Sequence, residues 1–72
     1  MNLNDAELGK EYVIADVQTE GDEEMKSFLF SLGCYSGERI TVVDKKRNLV
    51  VSIKDARYNI DRELAAAIII NK

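Results

Sequence analysis

Residues 25–43, MKSFLFSLGCYSGERITVV, change their hydrophobic period partway along. Met25, Phe28, Leu29 and Leu32 recur at i, i+3, i+4 and i+7, the stripe of an amphipathic helix with one face on a core. Beyond Gly37 the period shortens to two, with Ile40 and Val42 sharing one face of a strand. The residues between supply the change of direction. Gly33 is able to take the left-handed conformation that ends a helix, and Ser36-Gly37 suits a tight turn into the strand. Asp22, Glu23 and Glu24 place negative charge at the helix start, where the helix dipole favours it. At about 100° per residue, Phe30 lies roughly 140° from Met25 and points off the stripe. It either packs on a neighbouring loop or is exposed as a partner contact.

Upstream, NDAELGK offers Asn4 or Asp5 as the cap of a single helical turn, with Gly9 as its stop. EYVIADVQ, residues 11–18, is rich in β-branched and aromatic residues and predicts a strand in which Val13, Ala15 and Val17 share a face. Downstream, RITVVD and LVVSIK form a hairpin joined by KKRN, with Leu49, Val51 and Ile53 on one face. RYNID adds Tyr58 and Ile60 as the next inward pair. RELAAA favours a helical turn, and AIIIN returns as a closing strand. The expected fold is mainly β with one helix: about five antiparallel strands in a small barrel, the helix following the first strand. Closure is the economical arrangement because it removes edges that an open sheet would have to protect.

A chain of 72 residues makes one small domain. With 46% hydrophobic and 32% charged residues and no proline, it is composed to pack a core, unlike a disordered segment. The longest apolar run, Ala65 to Ile70, falls far short of the roughly 20 residues that span a bilayer, and MNLNDAELGK lacks the basic and then apolar pattern of a signal. The expectation is a cytoplasmic protein with no direct membrane insertion. The net charge of −3 hides an asymmetry. Residues 1–37 carry eight acids against Lys10 and Lys26, whereas residues 38–72 carry eight bases against five acids. Such a dipolar surface is suited to orienting a protein partner, and the acidic total argues against nucleic acid as the ligand.

Catalytic chemistry has little to build on. With no histidine, no base is available to activate Cys34 or a serine, and no glycine-rich phosphate loop, HExxH or CxxC pattern occurs. Cys34 is the only cysteine, which excludes an internal disulfide and a zinc knuckle; it is best read as a small apolar residue after the helix stop. The DEE triplet is explained by dipole complementarity, with a weak hard-metal site as the alternative. DKKRN, with Lys45, Lys46 and Arg47, is either a solvated turn that discourages edge pairing or a cationic finger for an acidic surface.

The run Leu32-Gly33-Cys34-Tyr35-Ser36-Gly37, with Met25 and Leu29 before it and Ile40 after, resembles the glycine and apolar signature of the ferrous iron transport protein A (FeoA) family. Leu8-Gly9 and Val13 are similar to that family's opening, and Ile60, Ala65, Ile68 and Ile70 to its ending. Every matched position is a glycine or an apolar residue, so the likeness speaks chiefly for fold. Many members carry a basic residue at the position of Phe28, a proline at that of Ser36, and a longer hairpin where this chain has DKKRN. The resemblance implies an SH3-like barrel and an accessory role in bacterial ferrous iron uptake, alongside a membrane transporter with a cytosolic GTP-binding domain.

Three functions compete on these grounds. The first is a noncatalytic module that docks on such a transporter, with Phe30, Tyr35, Lys45, Lys46, Arg47 and Arg62 as candidate contacts and Leu32, Gly33, Gly37 and Ile40 forming the turn that presents them. It needs no cofactor beyond weak binding of Fe(II) or another divalent ion. The second is a metal binder or sensor using Cys34 with carboxylates, a poorly preorganised ligand set. The third is an arginine supplied to the transporter's GTPase site by Arg47 or Arg62. Oligomeric state is left open.

Overall fold

In the computed structural model, which describes residues 1–71, the turn after the helix is built as its glycines require. Lys72, one of the bases counted above, lies outside the described residues. Helix α1 spans Glu23–Ser31, and Asp22 is its cap: the Asp22 carboxylate accepts the Met25 N–H at 3.0 Å. At its other end the Cys34 N–H donates to the Leu29 carbonyl and the Gly33 N–H to the Phe30 carbonyl, both at 3.0 Å. These are the paired bonds of a Schellman motif, which sets Gly33 at φ +96°. The next turn runs from Tyr35 to Glu38, closed by the Glu38 N–H on the Tyr35 carbonyl at 3.1 Å, with Gly37 at φ +93°.

The strands follow in the expected order. They are β1 (Glu11–Val17), then after α1 β2 (Arg39–Asp44), β3 (Leu49–Ile53) and β4 (Ala56–Ile60), and after helix α2 (Arg62–Ala67) β5 (Ile68–Ile70). All pairings are antiparallel, in the spatial order β4-β3-β2-β1-β5. Ile40 and Val42 of β2, and Leu49, Val51 and Ile53 of β3, point into the core as the period-two pattern predicts. The outer edge of β5 is covered by the N-terminal segment: the Ile70 N–H donates to the Met1 carbonyl at 2.9 Å, and Asn2 bridges to Ile69. Helix α2, capped by Asp61, connects β4 to β5 at the two ends of the ladder and packs on the N-terminal turn.

Three local expectations are corrected. In β1 the inward residues are Tyr12 and Ile14, while Val13 is 40% exposed. A bulge lies between the pairs Ile14–Ile70 and Asp16–Ile69, and the extra residue reverses the alternation, so Val17 packs against the core again. The N-terminal turn is a 3-10 turn over Leu3–Asp5 capped by Asn2, two residues before Asn4, because Leu3 must lie inside it to be fully buried. In α1, Leu29 is buried with Met25 and Leu32 packed beside it, but Phe28 is 47% exposed. At about 100° per residue, Met25 and Leu32 lie within roughly 60° of Leu29, and Phe28 lies roughly 100° away on the same side. The barrel covers only the Leu29 end of that arc.

Gly33 is fixed twice. Its φ is left-handed, and a Cβ there would come within 3.2 Å of Ile53 Cγ2 on β3. Gly33→Ala is therefore expected to destabilise the protein by about 1–2 kcal/mol from backbone strain, plus the displacement of Ile53, as read by urea unfolding. Gly37→Ala, which meets no atom within 4 Å, should cost the backbone term alone. The β3–β4 hairpin turns through Lys54 and Asp55 at φ +49° and +66°, a geometry usually given to Asn-Gly. Asp55→Gly should thus raise stability by about 0.5–1 kcal/mol in the same assay.

Candidate functional site

The Schellman motif and the turn behind it leave two aromatic rings on the surface. Phe30 is 43% exposed and Tyr35 37% exposed, and the rings meet edge to face with centroids 5.9 Å apart. Phe30 packs one edge on the neighbouring turn, and the rest of its ring is exposed. Each ring is held by a lysine. Lys26, one helical turn before Phe30, stands 5.6 Å from its centroid. Lys54, brought from the β3–β4 hairpin, donates to the Tyr35 hydroxyl at 2.7 Å and lies 3.6 Å from Glu38. Its nitrogen is 5.0 Å from the Tyr35 centroid, much farther than from the hydroxyl. It thus sits off the end of the ring and acts as a hydrogen-bond donor. The bond to Tyr35 raises the Lys54 pKa above its ordinary value, opposed by desolvation and helped in lesser part by the charge of Glu38.

The basic candidates gather at the β2–β3 loop, where two of them have structural work. Arg62, at the start of α2, donates to three loop carbonyls: to Arg47 from Nε at 3.2 Å, and to Lys45 and Lys46 from one terminal nitrogen at 3.3 and 3.1 Å. Its guanidinium thus staples the loop to the helix. Lys45 reaches back to the Ala6 carbonyl at 2.8 Å. Among the described residues the side chains of Lys46 and Arg47 form neither a hydrogen bond nor an ion pair, so these two are the loop's exposed, unpartnered cations.

Sequence reasoning did not single out Lys54, because its partner is nineteen residues away across two turns. Lys26 was detectable from its i, i+4 spacing to Phe30.

Cys34 is fully buried, in the position after the left-handed glycine where the Schellman motif places an apolar residue against the helix end. Burial pushes its thiol from an ordinary value of 9.0 up to about 11. No three carboxylate or thiol groups among the described residues come together as a metal-ligating set. The linkage has a definite sign. Between pH 9.0 and about 11 the unfolded chain has lost the thiol proton while the native state keeps it, so stability falls as pH rises through this window. Cys34→Ala should lose about 2 kcal/mol less than the wild type between those limits, measured by urea unfolding at each pH. At neutral pH the native thiol should react with an alkylating reagent only as fast as the protein opens.

No helix among the described residues is long and apolar enough to cross a membrane. None of the curated proteins matches this chain in sequence. Among solved structures, FeoA of Stenotrophomonas maltophilia, an SH3 domain protein complexed with zinc, is 21% identical with a TM-score of 0.89, the match covering 99% of this chain and 89% of that one. A FeoA described as an iron uptake regulatory protein is 20% identical with a TM-score of 0.87, over 99% and 93% of the two chains. A manganese-dependent transcriptional repressor matches at 20% identity and a TM-score of 0.85, but the likeness covers only 41% of that longer protein. These likenesses establish the SH3-like fold. A family model described as the FeoA domain matches residues 1–72, the whole length, and the chain belongs to that family.

Proposed function

We propose that this protein is a noncatalytic accessory module of ferrous iron uptake, which docks through its Phe30–Tyr35 surface on the cytosolic region of a GTP-binding membrane iron transporter. Family membership supports the iron-uptake context, and the Stenotrophomonas relative is described as a candidate activating factor for bacterial ferrous iron transport. The observation that carries the docking surface is the aromatic pair itself. Two exposed rings stand on a helix end and turn fixed by backbone hydrogen bonds, so little loop freedom remains to be lost on association. Aromatic residues are enriched at interface centres, and Lys46 and Arg47 add charge that speeds encounter more than it holds the complex.

The test is binding of the purified protein to the transporter's isolated cytosolic domain, with and without guanine nucleotide. Phe30→Ser and Tyr35→Ser should each weaken binding about tenfold or more, whereas Lys46→Ser should mainly reduce its salt dependence. Absence of binding into the high-micromolar range, or full affinity in the double aromatic variant, would sink the proposal. GTP hydrolysis by the transporter domain should be equal with wild type and Arg47→Ala. An acceleration lost in Arg47→Ala would assign that residue an arginine-finger role instead.

A further inference from the structure

On the other side of α1 lies a surface of opposite character. Phe28 and Phe30 flank the buried Leu29, and while Phe30 faces the lysines, Phe28 opens into a depression of about 330 Å³ between α1 and α2. Its apolar floor is Met25, Phe28 and Leu64. A second depression of about 250 Å³ shares Met25 and Glu63 with the first, so the two form one trough along the α1–α2 junction. Five carboxylates line it, those of Glu20, Asp22, Glu24, Asp61 and Glu63, with no lysine or arginine among the lining residues. Asp22 and Asp61 each use one oxygen to cap a helix. None of the five is in an ion pair among the described residues.

We propose that this trough is a docking site for a cationic amphipathic segment of another polypeptide, with an apolar side chain seated on Met25, Phe28 and Leu64 and lysines or arginines against the carboxylate rim. Charge complementarity selects the occupant. A rim of five unpaired carboxylates repels nucleic acid and anionic lipid and favours a multiply cationic ligand. A metal ion alone does not answer to the apolar floor, and no three of these carboxylates converge on a point. A small apolar floor lined with acids matches an amphipathic segment that sets basic residues beside its apolar positions. The site is separate from the Phe30–Tyr35 surface and does not depend on the docking proposed above.

The experiment is a titration of the isotopically labelled protein with a synthetic amphipathic helix of leucine and lysine, followed by amide chemical shifts. A control peptide has glutamate at every lysine position. The expected result is shifts centred on Met25, Phe28, Glu63 and Leu64 for the lysine peptide alone, with affinity falling as salt is added. Phe28→Ser, at an already half-exposed position, should weaken binding about tenfold, and Glu24→Gln with Glu63→Gln should flatten the salt dependence. Equal binding of the glutamate peptide, shifts centred on Phe30 and Tyr35, or unchanged affinity in Phe28→Ser would overturn the proposal. So would the same shifts appearing on concentrating the protein alone, which would make a second copy the occupant.

Discussion

The pair of hydrogen bonds that ends α1 organises the rest of the molecule. When the Cys34 and Gly33 amides close on the Leu29 and Phe30 carbonyls, the chain reverses against the end of β3, and the thiol of Cys34 is delivered to the core. A residue with a Cβ at position 33 would strain the backbone and push on Ile53 at once. The same closure throws Tyr35 outward beside Phe30. The one rigid feature that packs the helix on the barrel therefore also presents the aromatic pair.

Helix α1 divides the surface. Only Leu29 of its residues is fully buried, because the helix rests on the barrel along a narrow line. Apolar side chains on either side of that line remain accessible, and their charged neighbours differ. Phe30 has Lys26 beside it and, through Tyr35, Lys54; Phe28 shares its depression with Asp22, Glu24, Asp61 and Glu63. The charge asymmetry visible along the chain thus reappears in space in a different form. It separates the two flanks of one helix, because Lys26 from the acidic half faces one way and Asp61 and Glu63 from the basic half face the other.

The basic loop between β2 and β3 illustrates why a charge run is a poor guide to a site. Lys45, Lys46, Arg47 and Arg62 are of one kind in the sequence, but the fold gives them different work. Arg62 and Lys45 satisfy backbone carbonyls that would otherwise depend on water, and of the four only Lys46 and Arg47 have no side-chain partner among the described residues. Cys34 shows the converse. A lone thiol between glycines invites a chemical reading, yet its place after the left-handed residue of the helix stop is a packing position.

Much of the architecture was legible in the residues because it rests on local rules. The helix stop at Gly33, the turn at Gly37, the inward faces of β2 and β3 and the order of the elements follow from glycine's access to positive φ and from hydrophobic period. The face of β1 was not legible, since a bulge at Ala15 reverses the alternation and is fixed by pairing with β5, more than fifty residues away. Nor was the exposure of Phe28, because period gives the angle of a side chain about its helix and not the width of the surface that covers it. The lysine that holds Tyr35, the staple made by Arg62 and the carboxylates gathered between two helices are all contacts between segments distant in sequence. Such contacts exist only once the chain has folded, so tertiary structure alone decided which surface groups are occupied and which are left open.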